Sequence, residues 1–116
     1  MGISYEGIGE WCATFTCGKV KEGDVVKVSA NGSADVCGAG DSFCGVVRAI
    51  ARDGKACSVQ LGGIATVNYS GENAPIPGYG KLSADAAGGV SVDASKGREY
   101  LILAADSTAK TVAIKL

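Results

Sequence analysis

The chain has 116 residues, of which 47 % are hydrophobic and 20 % charged, with a formal net charge of −1. That is one domain's length and a soluble globular composition, neither disordered nor polybasic. Eleven basic residues are offset by twelve acidic ones, which argues against nucleic acid as a partner, and no apolar run approaches the roughly 20 residues that span a bilayer.

Residues 1–10 read as an arm. Ile3, Tyr5 and Ile8 are spaced by glycines and cannot all pack into one short element. The stretch has neither a basic nor an apolar leader region, and Glu6 stands where a myristoylation signal needs Ser or Thr. From Trp11 the sequence alternates. Trp11, Ala13, Phe15 and Cys17 share one face, and Cys12, Thr14 and Thr16 share the other, the period of a half-buried strand. Trp11 has two readings: an interface anchor beside the arm, or a cap on the domain's own core.

The run "VVKVSANGSADV" predicts a hairpin. A two-residue Asn31-Gly32 loop would set Val28 opposite Asp35 and mix the faces. A three-residue loop, with Gly32 left-handed, pairs Val28 with Ala34 and Val26 with Val36. It also sets Lys27 opposite Asp35 as an oppositely charged cross-strand pair.

Next comes "CGAGDSFCG", Cys37 to Gly45, where four chemistries can be tested. A dinucleotide fingerprint fails on spacing, because the glycine after Gly38 and Gly40 comes two residues late. No Gly-Lys in the chain is followed by Ser or Thr, which excludes a Walker loop. Ser42 in "GDS" would need a general base, and the chain has no histidine. The five cysteines include no C-x-x-C and have no histidine to complete a zinc set. The stretch therefore predicts a Gly-Ala-Gly-Asp turn feeding a buried strand, "SFCGVVRAI". An odd number of cysteines in a chain of this kind predicts reduced, mostly buried thiols and no intrachain disulfide.

Alternation returns in "KACSVQL" and "GIATVNY", followed by the loop "NYSGENAPIPGYGK". Tyr69, Tyr79 and Asn73 could stack on and hydrogen-bond a small molecule or glycan there, or Pro75 and Pro77 could simply stiffen a linker. A second hairpin follows in "KLSADAAGGVSVD". With Gly88 left-handed it pairs Leu82 with Val92 and Ala84 with Val90, and sets Lys81 opposite Asp93. The apolar strand "YLILAA" and the alternating "KTVAIKL" close the chain. The prediction is an all-β sandwich or barrel with little or no helix, forming a single domain over 11–116. It is built from two similar hairpin-containing units at about 22–61 and 78–116.

The order "EGDVVKVSANGSADVCGAGDSFCGVV", "ACSVQLGGIATV", "GYGKLSADAAGGVSVD" and the closing "TVAIKL" resembles the small tailed-phage capsid cement or head decoration proteins, once mislabelled as RecA/RadA-type phage recombinases. The likeness covers roughly Glu22 to Leu116. It implies a virion structural protein, made in a bacterial cytoplasm, on the capsid exterior, with the major capsid protein as partner. By analogy it also implies a homotrimer. On this reading the chain is not an enzyme and needs no cofactor or metal, and Ile3, Tyr5, Ile8 and Trp11 are the candidate capsid contacts. The alternative is a small-molecule or glycan-binding β module.

Overall fold

A computed structural model describes residues 9–116. Ten strands make up its regular structure: β1 (Trp11–Cys17), β2 (Val25–Ala30), β3 (Ser33–Val36), β4 (Gly45–Ile50), β5 (Ala56–Gly62), β6 (Ile64–Ser70), β7 (Gly78–Ala84), β8 (Val90–Val92), β9 (Arg98–Asp106) and β10 (Thr111–Lys115). They close into two barrels of identical strand order. The first runs β1-β3-β2-β4-β5 and back to β1, and the second β6-β8-β7-β9-β10 and back to β6. This is the expected all-β fold of two similar units.

Both hairpins take the register that keeps apolar side chains on one face. In β2 and β3, Val26 pairs with Val36, Lys27 with Asp35 and Val28 with Ala34. In β7 and β8, Leu82 pairs with Val92 and Ala84 with Val90. The turn glycines are left-handed, Gly32 at φ 69° and Gly88 at φ 88°. The charges pair differently from the sequence expectation. Lys27 Nζ reaches past Asp35 to Asp41 Oδ2 at 2.7 Å, and Asp35 instead accepts from Ser29 Oγ. Asp93 accepts from Ser83 Oγ and from the backbone N–H groups of Ser95 and Lys96, and only its own N–H meets Lys81, at the carbonyl.

The repeat is wider than the hairpins. Cys17 runs parallel beside Ala34, and Tyr69 parallel beside Val90. The N–H of Cys17 donates to the Lys55 carbonyl, and that of Tyr69 to the Lys110 carbonyl. Even the irregularities recur. The ladder of β4 with β5 slips after the Val47–Val59 pair, and that of β9 with β10 slips beside the matching Ile102–Ile114 pair. Strands β1 and β6, which lie outside the hairpin-based bounds, therefore belong to the repeated unit.

The cores show how the barrels join. The first barrel encloses Cys17, Val26, Ala34, Val47, Cys57 and Val59. The larger cluster, around Tyr69, Leu82, Tyr100 and Ile114, also takes in Val25, Cys37, Phe43 and Val46 from the first unit. The doublets Val25-Val26 and Val46-Val47 thus send one side chain into each core. A strand buried on both faces loses its alternation and reads as a continuous apolar run, and each valine so buried contributes roughly 1.5–3 kcal/mol.

The strand expected from Ser42 begins only at Gly45. The reason is local: Asp41, just before, is bonded to Ala84 of the second barrel, the Phe43 carbonyl accepts from the Tyr100 hydroxyl at 2.8 Å, and the first bond to β2 is that of the Cys44 N–H to the Val26 carbonyl at 2.9 Å. Backbone committed to the second barrel cannot also start the ladder with β2.

The two turn glycines differ in surroundings. A Cβ at Gly32 would meet open space, whereas one at Gly88 would collide with Asp24, beside the Val25 N–H bond to the Gly88 carbonyl. Gly32→Ala and Gly88→Ala are each expected to destabilise the fold by about 1 kcal/mol through left-handed strain, since the group met at Gly88 is the movable carboxylate of Asp24. Thermal melts check this, and no loss in either variant would contradict the left-handed turns.

Candidate functional site

The Cys37–Gly45 stretch latches the two barrels together. Gly40 is left-handed at φ 85°, which turns the chain so that Asp41 Oδ2 accepts from its own turn at the Gly38 N–H, 2.8 Å away, as well as from Lys27 Nζ. The Lys27 hydrogen bond, helped by the one from Gly38, holds the Asp41 carboxyl below the usual range. Ser42 is exposed beside this latch, and Lys27, the lysine that reaches the turn, is held by Asp41.

All five cysteines are free thiols. Burial pushes Cys37 up to about 11 and, with a hydrogen bond to Cys17, Cys57 up to about 12. Burial also raises Cys44. Such groups stay protonated at neutral pH, which suits small core residues rather than nucleophiles or metal ligands. Cys12 departs from the expectation of burial and is exposed. Among the described residues no three Cys, Asp or Glu side chains gather as a metal-holding group.

Of the residues read as capsid contacts, Ile3, Tyr5 and Ile8 lie outside the described residues. Trp11 opens β1 and is 59 % exposed. Its indole lies over Gly62, where any Cβ would collide with the ring. The missing side chain at Gly62 leaves the indole a flat seat on the neighbouring strand. Glu10, the residue before Trp11, pairs through Oε1 with Arg48 Nη2 at 3.5 Å.

The loop reading needs one correction. Tyr69 is 4 % exposed because it follows Ala65 and Val67 on the inward face of β6, and Lys110 Nζ lies 5.1 Å from its ring centroid. It cannot stack on a ligand. Asn73 and Tyr79 do come together, lining an open groove of about 570 Å³ with Glu72, Ile76, Lys81 and Val92. Ile76 and Tyr79 are 76 % and 74 % exposed. The sequence reading does not single out Ile76, Lys81 and Val92 as site residues, though an isoleucine between Pro75 and Pro77 in a polar link is a signal available in the sequence. No family model and no curated protein matches this chain.

Two outcomes follow from the latch and the thiols. Because the folded Asp41 value is depressed, its contribution to stability is complete above the ordinary 3.8 and is lost as pH falls through the depressed value. Asp41→Asn should therefore melt below wild type at pH 7, and the gap should close in acid; a gap independent of pH would contradict the latch. In thiol labelling of the native protein at pH 8, Cys12 should react first, with Cys17, Cys37 and Cys57 reacting only on unfolding. Rapid native modification of those three would show that the cores open.

Proposed function

We propose that this chain is a virion structural protein that binds the outer surface of a tailed-phage capsid, with the major capsid protein as its partner and a trimer as its working assembly. The observation that carries the reading is Trp11, a large aromatic 59 % exposed at the start of a barrel strand, directly after a segment whose sequence includes Ile3, Tyr5 and Ile8. A tryptophan capping its own core would be covered. One left open on a stiff strand has the character of an interface anchor, because tryptophan supplies much contact area for little lost rotamer freedom. Two barrels clamped through a shared core form a rigid body, which suits a part whose work is to hold neighbouring subunits in register. Weak contacts of this kind gain strength when repeated over a symmetric lattice.

The test is co-sedimentation with undecorated capsids of the phage that encodes the chain. Wild-type protein should pellet with them. Trp11→Ala and a truncation lacking residues 1–8 should each bind at least about tenfold more weakly while melting close to wild type, since the truncation keeps Gly9 and Glu10, which meet the inter-barrel link at Gly63. Full binding by both folded variants would overturn the arm and Trp11 as anchors. No binding by the intact protein would overturn the capsid reading.

A further inference from the structure

The two barrels serve as internal controls for one another, since whatever the fold requires should be present in both. They differ in the connection that leads from the strand lying parallel to the hairpin into the hairpin itself. Cys17 lies beside Ala34, which pairs with Val28, and Tyr69 lies beside Val90, which pairs with Ala84. From Cys17 to Val28 the chain takes eleven steps, and from Tyr69 to Ala84 it takes fifteen. The links themselves match in length, 18–24 and 71–77, and the extra residues lie mainly at the start of β7, at Gly78, Tyr79 and Gly80; residues Glu72 to Pro77 form one wall of the groove and Tyr79 another. They lengthen the ladder with β9, opposite Ile102, Leu101 and Tyr100, and so carry Tyr79 to the groove beside the 71–77 link.

The groove has a definite chemistry. Tyr79 stands between Gly78 and Gly80, so no adjacent side chain shields its ring, and it is 74 % exposed. Ile76 and Val92 add apolar surface, while Asn73 offers an amide, Glu72 a carboxylate and Lys81 an ammonium group. The two charges offset each other, which favours a neutral ligand over an anion or a cation. The high exposure of Ile76 and Tyr79 marks a shallow site that leaves one side of its occupant in water, which does not suit a wholly apolar ligand. Both sheets are closed, so the described residues leave no open sheet edge for a peptide to extend as an added strand. A molecule with an apolar face and a rim of hydroxyls satisfies all of these conditions. At about 570 Å³ the groove falls in the size range of small-ligand sites.

We infer that the groove between the 71–77 link, Tyr79 and Val92 is a binding site for a neutral glycan. A sugar ring lies against the Tyr79 face, and its hydroxyls are met by Asn73, Glu72 and Lys81. The site does not depend on capsid binding, because Tyr79 belongs to the second barrel and Trp11 to the first.

The experiment is an amide-resolved NMR titration of the full chain. The probes are neutral oligosaccharides of hexose and N-acetylhexosamine, with a sialylated oligosaccharide and a proline-rich peptide as competitors for the reading. At least one neutral saccharide should shift the amides of Asn73, Tyr79, Lys81 and Val92 in a saturable way. Tyr79→Ala should weaken that binding about tenfold while leaving the melt unchanged, and Tyr79→Phe should keep most of it, because stacking needs the ring and not the hydroxyl. No saturable shift at these amides with any neutral saccharide would overturn the inference. So would an undiminished response from Tyr79→Ala, or preferential binding of the sialylated saccharide or the peptide.

Discussion

The stack of Phe43 on Tyr100 is the contact on which the rest of the molecule depends. The ring centroids are 4.7 Å apart with an interplanar angle of 7°, and the Tyr100 hydroxyl donates to the Phe43 carbonyl at 2.8 Å. Phe43 enters the first barrel just before β4, and Tyr100 sits in β9 of the second, so a buried pair with a satisfied hydroxyl joins the two. A barrel of about 50 residues buries too little surface to be secure alone. The first barrel's own core is poorer still, being made of cysteine, alanine and valine. Its stability is borrowed from the wall it shares with the second. Arg98 lies 5.3 Å from the Tyr100 ring centroid, adding a cation to a ring already held by stacking and a hydrogen bond.

The link between the barrels is fixed in a different way. Gln60 is fully buried, and its Nε2 donates to the carbonyls of Gly62 and Ile64 at 2.9 and 3.1 Å. Gly63, left-handed between them, accepts from the Leu116 N–H, and any Cβ at Gly63 would press on the backbone of Gly9 and Glu10. The start of β1, the inter-barrel link and the chain's last residue therefore meet in one place. Among the described residues no donor reaches Gln60 Oε1, and a buried carbonyl so left costs about 1–3 kcal/mol. An apolar residue would avoid that loss but would leave two link carbonyls without their donor. The seat of Trp11 on Gly62 lies in this same region, so the indole is held in place although it is exposed.

The hairpins were legible in the sequence because two independent constraints agree in them. Matching Val26 with Val36, or Leu82 with Val92, fixes the register, and Gly32 or Gly88 supplies the left-handed residue that this register demands. Nothing local signals the parallel pairs Cys17–Ala34 and Tyr69–Val90, which join strands with another strand between them in the chain, so β1 and β6 were not recognisable as parts of the repeat. The Val25-Val26 and Val46-Val47 doublets were visible but ambiguous, since a run buried on both sides has no period to read. Tyr69 was misplaced although its alternation with Ala65 and Val67 already pointed it inward; the polar residues after it made the loop look longer than it is. Lys27 found Asp41 instead of Asp35 because a long flexible side chain pairs with the best-held carboxylate within reach, and Asp41 is held by the Gly38 N–H.

Differences between the two units are therefore informative in themselves, and they sort by cause. Gly45 occupies the place in β4 that Tyr100 occupies in β9, two residues before the Val47 and Ile102 pairs. A side chain at Gly45 would collide with the Gln60 carbonyl and Val59, whereas Tyr100 is the residue that reaches across to Phe43. Packing accounts for that difference, as it does for Asp24 seated against Gly88. The extra residues at the start of β7 are taken up in its ladder with β9. The 71–77 link matches the 18–24 link in length, yet it displays Ile76 to solvent and walls a concavity. In a molecule built twice from one plan, an apolar side chain shown to water is a departure that the ladders of neither barrel explain, because neither ladder includes it.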